Sequence, residues 1–137
     1  MIPDWVLGYV GIPWGEGGRT REACDCFGLL RLVLGEHFGV ELPSYAGDYT
    51  MPLERDEVAA LMQARIAVDA WRPVTTPRAG DGALFRVLGE PWHVGVVVGR
   101  EHFLHVSPAA NPSLIERLAS PRWHRRLVGL SRPEALA

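Results

Sequence analysis

The stretch from Cys26 to Phe38 limits most what this chain can fold into. Cys26, Leu29, Leu30, Val33 and His37 recur at i, i+3, i+4, i+7 and i+11, a spacing that predicts a helix. Only Arg31, Glu36 and His37 along it are strongly polar. A helix apolar nearly all round has to be enclosed by other elements. Its ends are marked as well. Asp25 is a good N-cap, because its carboxylate can accept from first-turn amides, and Gly39 is well placed as the C-terminal stop. Cys26 then becomes the first helical residue. The positive end of a helix dipole favours a thiolate, and thiols so placed titrate at roughly 3.5–7.5 instead of about 8.5. Cys26 is therefore a candidate nucleophile, with a small core residue as the plain alternative.

Residues 3–10 read as a short helix with Pro3 near its start, ended by Gly11 and followed by the glycine-rich loop 12–19. Beyond the central helix, 40–53 read as an ordered loop, and 54–66 as a second, amphipathic helix with Val58, Leu61, Met62 and Ile66 on one face. From the turn Arg78–Asp81 onward the pattern changes. Strands are expected at 82–88, 92–99, 102–107, 113–118 and 126–131, with Pro121–His124 a short helical or turn connection. Helices first and strands afterwards predict an α+β fold, the central helix packed on an antiparallel sheet of about five strands. With 137 residues, no repeat and no credible linker, 1–137 is expected to be a single domain.

Composition removes several function classes. The formal charge is −2 and no basic run exceeds Arg125-Arg126, which argues against a nucleic-acid partner. All fourteen basic residues are arginine, so Schiff-base chemistry and a P-loop lysine are excluded. Cys24 and Cys26 are separated by one residue and make a poor disulfide, which suits a reducing compartment. No run approaches the ~20 apolar residues that span a bilayer, so no membrane insertion is expected. The N-terminus has no basic n-region, and a signal peptide is not expected.

Two histidines change the weight on Cys26. In Trp92–Gly99 the alternation sets His93, Gly95 and Val97 on one face and Val94, Val96 and Val98 on the other. The following strand carries His105. A three-residue connection Gly99-Arg100-Glu101 would set His105 opposite Gly95, on the face of His93, where the bare glycine leaves room for one imidazole beside the other. Cys26, His93 and His105 then fit the roles of nucleophile, base and orienter. Cys24, Cys26, His93 and His105 as a zinc set is the weaker alternative, since Cys-x-Cys is not the usual ligand gap. His37, His102 and His124 read as structural, and Trp5, Trp71, Trp92 and Trp123 as packing residues. Trp14 and Trp92 each sit beside a site motif and are expected near a cleft.

Asp25-Cys26-x-Gly28-Leu29, Gly80-Asp81-x-x-Leu84-Phe85, His93-Val94-Gly95-x-x-x-Gly99 and Phe103-Leu104-His105 form a collinear series. It resembles the NlpC family of papain-like cysteine peptidases, which cut the peptide stems of bacterial cell walls. The resemblance extends from about Gly11 to Arg126. Within the family the chain is most similar to compact phage and gene-transfer-agent tail peptidases, in an extra segment over 48–70 and in Trp123-His124-Arg125-Arg126. The resemblance implies a papain-like fold and a cysteine peptidase that hydrolyses γ-D-glutamyl–diaminopimelate (or lysine) bonds through an acyl-enzyme. Catalytic Cys26, His93 and His105 would need no cofactor and no metal. It also implies synthesis in the bacterial cytoplasm, incorporation beside phage tail-tip or hub proteins, and delivery to the periplasm and peptidoglycan. Asp25, Trp14, Phe27 and Trp92 would meet the stem peptide. Phe27 stands where the family often has serine, and Trp14 where it often has tyrosine; phenylalanine supplies no hydrogen bond and tryptophan only an N–H donor. The rival is a virion tail-tip structural protein with a vestigial site.

Overall fold

The computed structural model describes residues 2–44, 71–87 and 90–137, the side chains of 90–92 excepted. The helix expected over 54–66 and most of the loop expected over 40–53 lie outside the described residues. The central helix, α1, runs Cys26–Phe38. Asp25 stays extended at its head and accepts from the Gly28 amide at 2.7 Å. Gly39, left-handed at φ 69°, closes the other end. Seven of its residues, from Cys26 to Leu34, are buried, as a helix apolar nearly all round requires.

In front of α1 the short N-terminal helix is a 3-10 helix over Asp4–Tyr9, not an α-helix. Confined between Pro3 and Gly11, it is too short to gain much from i→i+4 bonds, and tighter bonds such as Val6 N–H to the Pro3 carbonyl close it instead. The glycine-rich loop then turns back through two unforeseen two-residue strands, β1 (Arg19–Thr20) and β2 (Ala23–Cys24). This loop lies directly on the head of α1. A Cβ built on Gly28 would fall 1.9 Å from the Gly18 carbonyl oxygen, so only glycine lets helix and loop approach this closely.

The main sheet comprises β3 (Trp71–Val74), β4 (Gly82–Val87), β5 (Glu90–Val97), β6 (His102–His105), β7 (Leu114–Arg117) and β8 (Leu127–Pro133). Its order is β3-β8-β4-β5-β6-β7 and every pairing is antiparallel. Among the described residues six strands form this sheet, where about five were expected. The additional strand, β3, contains Pro73, which argues against a strand in sequence; it is tolerated because, among the described residues, β3 pairs with β8 alone and stands at the sheet edge. Asp81, buried at the entry to β4, accepts from both Arg132 Nε and Nη2, at 2.7 and 2.9 Å, and ties β4 to β8.

Both faces of the sheet are covered. Leu84, Val94, Val96 and Leu104 pack with Leu29, Leu30 and Val33 on the α1 side. On the other side Ala83, Phe85, Val97 and Phe103 pack with Leu130 and with Trp123, the latter from a one-turn helix, α2 (Pro121–His124). That second, smaller core holds the histidines.

Candidate active site

The site begins with the turn between β5 and β6. The Val98 amide bonds the His102 carbonyl at 2.9 Å, closing a three-residue connection over 99–101. The register Val96↔Leu104 and Val97↔Phe103, continued by one pair, sets His105 opposite Gly95. A Cβ on Gly95 would lie 2.8 Å from Phe103 Cδ2 and 3.4 Å from His105 Cβ. The empty position lets the rings meet: His93 Nε2 and His105 Nδ1 are 2.8 Å apart. The rings approach edge-on, at 71°, because an N–H···N bond runs in the plane of the imidazoles.

Both histidines are buried, at 1% and 0% exposure. Trp123 accounts for much of this. Its indole lies 5.7 Å from His93 at 32° and 4.8 Å from His105 at 79°, and Phe85 and Phe103 complete an aromatic surround. Burial drives His93 down to about 3, with the neighbouring His105 and Arg126 adding to the effect. His105 is lowered as well, because burial and Arg122 outweigh the opposing Glu116 carboxylate. Burial thus favours the neutral form of both rings.

Sequence reasoning passed over two residues here. Trp123 read as packing alone, and Glu116 was one carboxylate in an expected strand. Glu116 Oε2 lies 2.5 Å from His105 Nε2. The register Phe103↔Glu116 sets it on the histidine face. The available signal was alternation in Leu114-Ile115-Glu116-Arg117, and it becomes informative only once the β6–β7 register is known.

Cys26 arrives from the other side. Among the described residues β6 pairs with β5 at Val96 and Val97, and the ladder stops short of Val94. There the sulfur of Cys26 meets the backbone of Val94, one residue beyond His93, as well as that of Phe27. The depressed thiol expected from the helix dipole is not found. Cys26 is 1% exposed, and burial pushes its thiol up to about 12 with help from the Asp25 charge; Val94, Phe27 and Arg19 pull the other way without prevailing. A helix end is worth at most about 2 kcal/mol, near 1.5 pKa units, and burial moves this group further in the opposite direction. Burial thus favours a neutral thiol and a neutral imidazole over a thiolate–imidazolium pair at rest.

The remaining expected site residues are spread around the helix head. Asp25 is fully buried; one oxygen accepts from the Gly28 amide and from Arg19 Nη1, both at 2.7 Å. Arg19 also bonds the Gly18 and Ser44 carbonyls, and its guanidinium lies 5.5 Å from the Phe27 ring. Phe27 itself is in the main core. Trp14 is half-buried beside β2, bridged to Cys24, and its amide bonds Asn111 Oδ1 at 3.0 Å. Its indole N–H is buried with no acceptor among the described residues. The backbone of Trp92 is in β5, and its side chain lies outside the described residues. The Cys24 thiol is turned to the Thr20 carbonyl at 3.1 Å, and both cysteines are free thiols.

Known proteins resemble this chain in sequence and in fold. A model of the NlpC/P60 family matches residues 11–132. "Murein DD-endopeptidase MepS/Murein LD-carboxypeptidase" of Escherichia coli (strain K12) is 27% identical over 125 residues, 91% of this chain and 57% of that protein. "Probable peptidoglycan endopeptidase LytE" of Bacillus subtilis (strain 168) is 25% identical over 124 residues, 90% of this chain and 31% of that protein. The chain thus spans little more than half of the first relative and about a third of the second. Among solved structures, an NLP/P60 family protein similar to lipoprotein, from Staphylococcus aureus subsp. aureus Mu50, superposes with TM-score 0.64 at 25% identity, covering 94% of this chain and 39% of that one. The NlpC/p60 domain of peptidoglycan hydrolase SagA gives TM-score 0.58 at 19% identity, covering 92% and 90%. That second likeness speaks to the fold alone.

Proposed function

The chain belongs to the NlpC/P60 family, and on that premise we propose that it is a cysteine endopeptidase of peptidoglycan, with 1–137 as one catalytic domain and Cys26, His93 and His105 as its catalytic residues. The substrate class is the stem peptide, and the bond is of the γ-D-glutamyl–diaminopimelate type. Relatives named as murein and peptidoglycan endopeptidases support the substrate class. The observation that carries the chemistry is the 2.8 Å bond between His93 and His105, one residue from the strand position met by the Cys26 sulfur.

Because burial favours the neutral thiol and the neutral imidazole, proton transfer accompanies attack. The Cys26 sulfur bonds the scissile carbonyl carbon as its proton passes to His93, and the backbone amide of Cys26 itself, at the head of α1, receives the oxyanion. Collapse breaks the C–N bond, and His93 returns the proton to the leaving amine. Water, deprotonated by His93, then cleaves the thioester and restores the thiol. His105 holds the ring throughout. Asp25 serves this reading as the cap that fixes the helix head, and Trp14, Phe27 and Trp92 are the candidate walls for the stem peptide.

Purified muropeptides incubated with the wild type and with Cys26→Ser, the products identified by mass, test the proposal. Stem cleavage by the wild type alone is expected. Cleavage by neither would leave the vestigial-site scaffold as the better account.

We further infer incorporation into a phage or phage-like tail and delivery to the wall with it. The resemblance over 48–70 and Trp123–Arg126 to tail-borne peptidases supports this. Mass spectrometry of purified tail particles should find the chain in stoichiometric amount; its absence from particles in cells that contain it would overturn the inference.

A further inference from the structure

Beyond the His93–His105 pair, the hydrogen-bonded chain continues to a carboxylate. Glu116 Oε2 is 2.5 Å from His105 Nε2, and His105 Nδ1 is 2.8 Å from His93 Nε2. We propose that Glu116 is a positioning residue which, through His105, fixes the lone pair of His93 on Nδ1. This rests on the reading of Cys26 and His93 as nucleophile and base.

The logic is one of donors and acceptors. A carboxylate only accepts, so His105 Nε2 carries a hydrogen. Neutral His105 then presents a bare Nδ1, and the 2.8 Å contact must be filled by a hydrogen on His93 Nε2. Neutral His93, with its hydrogen on Nε2, keeps its lone pair on Nδ1, the nitrogen that has to take the thiol proton. Without the carboxylate, His105 is free to carry its hydrogen on Nδ1 and donate to His93 Nε2. That would move the His93 hydrogen to Nδ1 and leave a ring unable to act as base there.

The inference requires both rings to be neutral, since a doubly protonated His105 would donate at both nitrogens and turn the order of the chain around. The surroundings meet that condition. Burial disfavours charge on both rings, Arg122 acts on His105 and Arg126 on His93, and Cys26, on the α1 side, presents a neutral thiol. When His93 takes the proton in the reaction, its Nε2–H remains bonded to His105 and no proton moves on to Glu116. The carboxylate then lies at the far end of a polarised chain and favours the imidazolium. Its side chain is 26% exposed, so it can be exchanged without opening the core.

Ring ¹⁵N–¹H correlation spectra at pH 7 decide the matter, combined with steady-state kinetics on muropeptides for the wild type, Glu116→Ala and Glu116→Gln. In the wild type both His93 and His105 should be Nε2–H tautomers. Glu116→Ala should show mixed tautomers at both rings and lose on the order of 10²-fold in kcat with KM within about twofold. Glu116→Gln, whose amide can present either a donor or an acceptor, should fall between and serves where the alanine variant does not fold. Unchanged tautomers in the variants, or kcat within about twofold of the wild type, would overturn the proposal. If the wild type cleaves nothing, the proposed function fails, while the spectra still decide on Glu116 by themselves.

Discussion

Gly28→Ala sets two physical effects of opposite sign against each other. On helix propensity alone, alanine in place of glycine within α1 should stabilise by about 1 kcal/mol. The structure predicts the reverse. The added Cβ would sit 1.9 Å from the Gly18 carbonyl oxygen, more than 1 Å inside the closest approach that real Cβ atoms make, and 3.1 Å from both Arg19 Nη1 and Asp25 Oδ1. The main collision is with backbone, so no rotamer relieves it. The helix head has to shift against the loop, a form of overpacking that costs about 3 kcal/mol where nothing flexible can yield. The same shift strains the Asp25–Gly28 cap, worth about 1 kcal/mol. Set against the propensity gain, the net loss is about 3 kcal/mol, or roughly 10 °C in Tm for a chain of this size. Thermal melts followed by circular dichroism at pH 7 read this directly. A Gly28→Ala protein that melts at or above the wild-type temperature would refute the close approach between loop and helix, and with it the placement of the Cys26 helix start.

Acid stability should follow the histidines. With His93 held at about 3 against an ordinary 6.5, the unfolded chain binds the extra proton first, so stability is full above about pH 6.5 and falls as pH drops toward 3. His93→Asn should flatten that limb of a Tm-against-pH curve, and an unchanged limb would contradict the burial. At the alkaline end the folded chain keeps thiol protons that the unfolded chain releases near 9.0, Cys26 to about 12 and Cys24 to about 11; stability should decline above pH 9, less so in Cys26→Ala. Iodoacetamide should modify Cys26 in the native protein more slowly than a free peptide cysteine at pH 7, by mass-resolved kinetics, and faster labelling would mean a resting thiolate. Arg19→Met leaves the buried Asp25 charge without its guanidinium and should cost about 3 kcal/mol in urea unfolding, whereas a change below about 1 kcal/mol would mean that the ion pair contributes little.

Local chemistry made a good part of this molecule legible. The α1 boundaries follow from capping by Asp25 and from the left-handed preference of Gly39, both carried by single residues. The pairing of the histidines follows from a period of two and a three-residue turn, with Gly95 supplying the space. What stayed hidden depends on neighbours distant in sequence. β3 contains a proline and becomes a strand only because β8 offers it an edge. Glu116 is an ordinary strand carboxylate until the β6–β7 register brings it to His105.

The titration of Cys26 divides the two kinds of information most clearly. Sequence determined that a cysteine opens a buried helix, that two histidines share a sheet face, and that the chain belongs to the NlpC/P60 family. Tertiary structure alone decided that the sulfur is sealed against β5, and that Trp123 and its aromatic neighbours close over the imidazoles. The helix dipole is a local property readable from one segment. Desolvation sums over every atom that displaces water from a group, and those atoms come together only when the chain has folded.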